Sequence, residues 1–98
     1  MLKKKHLKSR PVCKVTFELP KTIAASSANV VGDFNGWDGA ATPMKRLKDG
    51  RFTVTVELDA GCEYQFRYLI DGVEWHNDWD ADRYVPNSFG SENSVVLT

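Results

Sequence analysis

Residues 64–75 constrain the fold most. Tyr64, Phe66, Tyr68 and Ile70 alternate with Gln65, Arg67 and Leu69, the period of a strand with one buried face. Asp71-Gly72 follows, a strong signal for a tight hairpin turn whose two central residues both need positive φ. The chain then returns through Val73 to Trp75. If Tyr64, Phe66 and Tyr68 fill a core, Gln65 and Arg67 stand on the opposite face. A cation and a nearby tryptophan on that face mark where function should be sought.

The rest of the chain repeats this pattern in short pieces. Cys13, Val15, Phe17 and Leu19 alternate with Lys14, Thr16 and Glu18, and Pro20 ends that strand because it cannot donate to a ladder. Residues 21–29 are small and polar. Ala24 and Ala25 permit a helical turn there, and a weak strand ends at Val30 and Val31. Gly32-Asp33-Phe34-Asn35-Gly36-Trp37-Asp38-Gly39 reads as a loop with special dihedrals, with Phe34 the better core anchor and Trp37 the more exposed ring. Residues 44–47 and 51–58 form a second hairpin about Lys48-Asp49-Gly50, with Phe52, Val54, Val56 and Leu58 on one side. Residues 77–93 are polar and aromatic, broken by Pro86 and Gly90, and 94–97 make a final short strand. About seven short strands near ten residues apart, with no convincing helix, predict an all-β, immunoglobulin-like antiparallel β-sandwich. It would lack the antibody pattern of paired cysteines and tryptophan.

Ninety-eight residues suffice for one domain with one core. Residues 1–11 are read as a flexible basic arm and 12–98 as the folded domain. Lys3, Lys4, Lys5, Lys8 and Arg10 leave eight positive charges against thirteen acids in the remainder. An acidic body argues against nucleic acid as the partner. The arm could tether an anionic partner, but short basic termini are more often solvated tails. It has no apolar region of a secretory signal, and no apolar run reaches membrane-spanning length, so neither a membrane partner nor secretion is expected. Cys13 and Cys62 read as two buried thiols, consistent with a cytoplasmic location; sequence leaves a disulfide open.

Gly32-Asp33-Phe34-Asn35-Gly36-Trp37, Asp49-Gly50-Arg51-Phe52, Gly61 with Tyr64-Gln65-Phe66-Arg67-Tyr68, Ile70-Asp71-Gly72 and Gly90-Ser91-Glu92-Asn93 occur in that order. Together they resemble carbohydrate-binding module family 48, the isoamylase N-terminal or early-set glycogen-binding domain. They are also similar to the β-subunit module of AMP-activated protein kinase. The resemblance spans about residues 12–98 and implies a non-catalytic β-sandwich that binds α-glucans such as glycogen, starch or maltooligosaccharides. It implies carbohydrate contacts at Trp37, Arg67, Trp75, Phe89, Ser91 and Asn93. Arg67 stands where the family pattern has lysine, Phe89 where it has leucine, and Ser91 where it has threonine. The turn before Trp75 is one residue longer than the pattern. Some related modules fused to glycoside hydrolases and branching enzymes serve instead as packing domains. The alternative is therefore a protein-interaction domain that has lost sugar binding and contacts a glycogen-metabolising enzyme.

The residue types agree with a sugar ligand. Flat aromatic rings cover the C–H face of a glucose ring at low entropic cost, while Arg, Asn, Gln and Ser can bond its hydroxyls. Trp79 has no counterpart in the family pattern; it either extends the platform or packs beneath a loop. No metal or other cofactor is expected. Asp78-Trp79-Asp80-Ala81-Asp82 opens like a calcium loop, but Arg83 and Phe89 occupy the positions that need glycine and glutamate. His76 beside acids is weak metal evidence. No enzymatic activity is expected, because neither carboxylates facing one another across a cleft nor a nucleophile–base arrangement is evident.

Overall fold

The computed structural model describes residues 2–23 and 25–98. Nine strands follow in chain order: β1 Leu2–His6, β2 Val12–Leu19, β3 Ala28–Gly32, β4 Lys45–Arg46, β5 Phe52–Asp59, β6 Glu63–Ile70, β7 Glu74–His76, β8 Arg83–Pro86 and β9 Glu92–Leu97. They form two antiparallel sheets. One has the order β1-β2-β5-β4; the other runs β3-β6-β9-β8, with β7 also paired to β6. On the edge of β6 away from β3, β9 takes residues 63–66 and β7 takes 68–70. The expected sandwich is therefore present, with nine strands among the described residues rather than about seven.

The two additional strands are β1 and β8, both at sheet edges. An edge strand is held by one ladder and need not bury a face, so apolar alternation need not announce it. Residues 2–6, expected to belong to a flexible arm, pair along β2 from Leu2↔Phe17 to His6↔Cys13. Lys4 also forms an ion pair with Asp82, which ties β1 to the segment entering β8. The lysines that suggested a solvated tail suit an edge strand, because charge discourages pairing with another chain. The helical turn that Ala24 and Ala25 would permit falls partly outside the described residues, since Ala24 is not among them.

Alternating apolar residues from the two sheets make the core. Cys13, Val15, Phe17 and Leu19 of β2 meet Val30 of β3, Phe66, Tyr68 and Ile70 of β6, and Val96 of β9. Phe17 packs edge-on against Phe66, centroids 5.0 Å apart, and Phe34 stacks on Phe17 at 5.6 Å. Phe34 thus anchors its loop, as expected, while the neighbouring Trp37 remains outside. Fully burying one such aliphatic or aromatic side chain stabilises a fold by roughly 1.5–3 kcal/mol. The expectation of two buried thiols holds only for Cys13. Both cysteines are free and Cys62 is exposed, because the chain is still in the turn before β6 there and its N–H donates to Thr98 Oγ1.

One buried polar contact gives the fold a pH dependence. Tyr68 lies in the core and donates its hydroxyl to the buried Asp78 carboxylate at 2.6 Å. Burial, reinforced by that carboxylate, holds the phenol well above its ordinary value of 10.0. The folded protein therefore keeps a proton that the unfolded chain releases near pH 10. This stabilisation is complete below about pH 10 and is lost as pH rises beyond it, by about 1.4 kcal/mol per pH unit. Urea midpoints measured at pH 9 and pH 11 should fall more for the natural protein than for Tyr68→Phe. Parallel declines would contradict this.

Candidate functional site: an aromatic cleft on the outer face of the second sheet

The site begins at the end of β3. A 3₁₀ turn over Asp33–Asn35 is followed by Gly36 at φ 66° and Trp37 at φ 59°. Two successive left-handed residues reverse the chain. The side chain of Asn35 staples the loop: Oδ1 accepts the Gly32 N–H, and Nδ2 donates to Val30 O and Thr42 Oγ1. Asp33 then fixes Trp37. Its Oδ1 accepts the indole Nε1–H at 3.0 Å, and its Oδ2 accepts the Gln65 N–H of β6 at 2.7 Å. The indole N–H is thus occupied, leaving the ring to offer its faces. Gly39 of the same loop lies against Leu69 on the outer side of β6.

Opposite stands the hairpin of β6 and β7. Asp71 and Gly72 take φ 52° and 73°, the pair of positive values expected for this turn. Asp71 Oδ1 accepts the N–H groups of Ser26 and Ser27, fastening the turn to the segment before β3. Trp75 pairs with Leu69 and is 46% exposed. The Arg67 guanidinium lies 6.0 Å from the centre of the Trp75 ring, within cation–π reach, and its Nε is buried without a hydrogen-bond partner among the described residues.

The third wall is the turn between β8 and β9. Asn87 Oδ1 accepts the N–H groups of Phe89 and Ser91, and the Asn87 N–H donates to Ser91 O. Phe89 projects from this turn 91% exposed. Between the walls lies an open cleft of about 770 Å³, lined by Asp33, Trp37, Gln65, Arg67, Trp75, Phe89, Asn93 and residues 86–88. That volume lies within the range usual for small-molecule sites.

Five of the six residues singled out from sequence line this cleft: Trp37, Arg67, Trp75, Phe89 and Asn93. Asn93 is buried, and both ends of its amide are engaged: Nδ2 donates to Gln65 Oε1 and Oδ1 accepts from Asn87 Nδ2, each at 3.1 Å. Ser91 is exposed in the turn and does not line the cleft. Trp79 is exposed and also lies outside the lining. Asp33 and Asn87 were not singled out. Asp33 was visible only as part of the glycine-rich loop, and Asn87 carried no signal beyond ordinary turn composition. Among the described residues, no group of three or more His, Cys, Asp or Glu side chains is placed to hold a metal ion. Asp78, which opened the apparent calcium loop, is directed at Tyr68 instead.

A family model for carbohydrate-binding module 48, the isoamylase N-terminal domain, matches residues 22–85. The chain belongs to this family. The match includes Trp37, Gln65, Arg67 and Trp75, whereas the wall carrying Phe89 and Asn93 lies beyond it. Over 89 residues the module is 40% identical to a 1,4-alpha-glucan branching enzyme GlgB of Photobacterium profundum, covering 89% of the chain and 12% of that protein. It is 32% identical over 75 residues to a protein of the same name from Pseudoalteromonas atlantica, covering 74% of the chain and 10% of that protein. It is 37% identical over 75 residues to one from a Synechococcus species, again covering 74% and 10%. The chain thus spans about a tenth of the length of these curated relatives.

Proposed function

We propose that this module binds α-glucan chains non-catalytically through the outer-face cleft, serving as the accessory sugar-binding part of a glucan-acting protein. The observation that carries this reading is the joint exposure of Trp37 and Trp75 on one cleft, with Arg67 beside the Trp75 ring and Phe89 rising opposite. Aromatic faces suit the C–H surfaces of glucose rings, and Arg67 supplies donors for sugar oxygens. The cleft is open, so a bound glucan keeps much of its surface in water and affinity is modest. The names of the relatives favour an α-1,4-linked glucan as the ligand.

Titration with β-cyclodextrin, followed by tryptophan fluorescence, tests this. A saturable change in emission is expected at sub-millimolar to millimolar sugar. A flat response would overturn the reading and favour a module that packs against a protein partner.

A further inference from the structure

Gln65 ties the two sides of the cleft together. Its backbone N–H is held by Asp33, which also holds Trp37. Its side chain ends a relay of amides that begins in the wall carrying Phe89. The polarity of that relay is fixed by its far end. Asn87 Oδ1 accepts the backbone N–H groups of Phe89 at 2.9 Å and Ser91 at 3.2 Å, and a backbone N–H can only donate. The other arm of Asn87 must therefore be its NH₂, which donates to Asn93 Oδ1. Asn93 must then turn its own NH₂ to Gln65, whose Oε1 accepts it. What remains of Gln65 is Nε2, with two donors and no acceptor among the described residues. Two positions along the strand, Arg67 lines the same cleft.

We infer that Gln65 is a sugar-contacting residue, donating from Nε2 to a hydroxyl or ring oxygen of the bound glucan, and that Asn87 and Asn93 are positioning residues that set this polarity. The inference rests on the glucan reading of the cleft. A chain rich in acceptor oxygens satisfies the donors presented by Gln65 and Arg67, while the relay keeps the Gln65 carbonyl turned away from it. Asn93, held by a neighbour at each end of its amide, then acts mainly by orienting Gln65.

The test is β-cyclodextrin titration of the 98-residue chain, read by tryptophan fluorescence and by ¹H–¹⁵N NMR. Gln65→Glu keeps the acceptor for Asn93 and replaces the donor with a second acceptor. Asn87→Asp keeps the acceptor for the turn but removes the NH₂, so Asn93 must rotate, and Gln65 must rotate after it to present Oε1. Each variant should weaken binding roughly tenfold, the scale of one lost hydrogen bond with a mismatched partner. The Gln65 side-chain NH₂ signals should shift on saturation of the natural protein and should differ between the free natural protein and free Asn87→Asp. Binding by Gln65→Glu within about twofold of the natural protein, or NH₂ signals unmoved at saturation, would overturn the sugar contact. Unchanged NH₂ signals in free Asn87→Asp would overturn the positioning role. Failure of the glucan reading itself is distinguishable, because the natural protein would then show no saturable change at its tryptophans.

Discussion

Trp75→Ala is expected to lower β-cyclodextrin affinity by roughly thirtyfold or more, the consequence of losing about 2 kcal/mol from an aromatic anchor at the centre of a binding surface. Trp75 carries more than its own ring. It screens the Arg67 guanidinium at 6.0 Å, so its removal also lets water onto a side chain that should meet the sugar. Trp37→Ala should lose a comparable factor and would leave Asp33 Oδ1 without its indole partner. Because Trp75 is on the exposed face and its backbone pairing with Leu69 survives substitution, the melting temperature should change little. Trp79→Ala, outside the cleft lining, should leave affinity unchanged. Isothermal titration of the three variants checks this pattern, and equal affinities for Trp75→Ala and the natural protein would contradict it.

Gly32→Ala is expected to have the largest effect on stability. The reason is space, because φ at Gly32 is −171°, an extended value open to any residue. A Cβ there would lie 2.4 Å from Gln65 O and 2.8 Å from Phe66 Cβ. Both belong to β6, which pairs with β3, β7 and β9, so neither can withdraw without disturbing the sheet. Overpacking of this kind costs about 1–3 kcal/mol, equivalent to a fall in melting temperature of roughly 5–20 °C for a domain of this size. The same displacement would separate Asp33 from Gln65 and release Trp37, so sugar affinity should fall with stability. Thermal unfolding followed by circular dichroism measures the first effect; an unchanged midpoint would show that β3 is free to move away from β6.

Legibility in the sequence followed burial. Strands that bury one face declare themselves by alternation, so β2, β5 and β6 could be read from Cys13, Val15 and Phe17, from Phe52 and Leu58, and from Phe66, Tyr68 and Ile70. Strands β1 and β8 could not, because edge strands with charged or exposed side chains have no such period. Cys62 misled for a related reason: it continues the parity of Tyr64 but precedes the strand that would give parity meaning. The aromatic members of the cleft were legible because Trp37 and Trp75 sit in motifs with strong turn chemistry. Of the polar members, Gln65 was legible only as an outward-facing residue of β6, and Asp33 and Asn87 were not singled out. Asp33, Gln65 and Asn87 act through partners 4, 32, 28 and 6 residues away, and three of those four separations are set wholly or partly by how the sheet is assembled rather than by local pattern.

The most direct measurement is a ¹H–¹⁵N spectrum of the three indole N–H groups during titration with maltoheptaose. Sugar stacked in the cleft should shift the Trp37 and Trp75 signals together along one saturable curve and leave the Trp79 signal in place. Movement of Trp79 alone, or no movement of any indole at saturating sugar, would contradict a glucan platform built on Trp37 and Trp75.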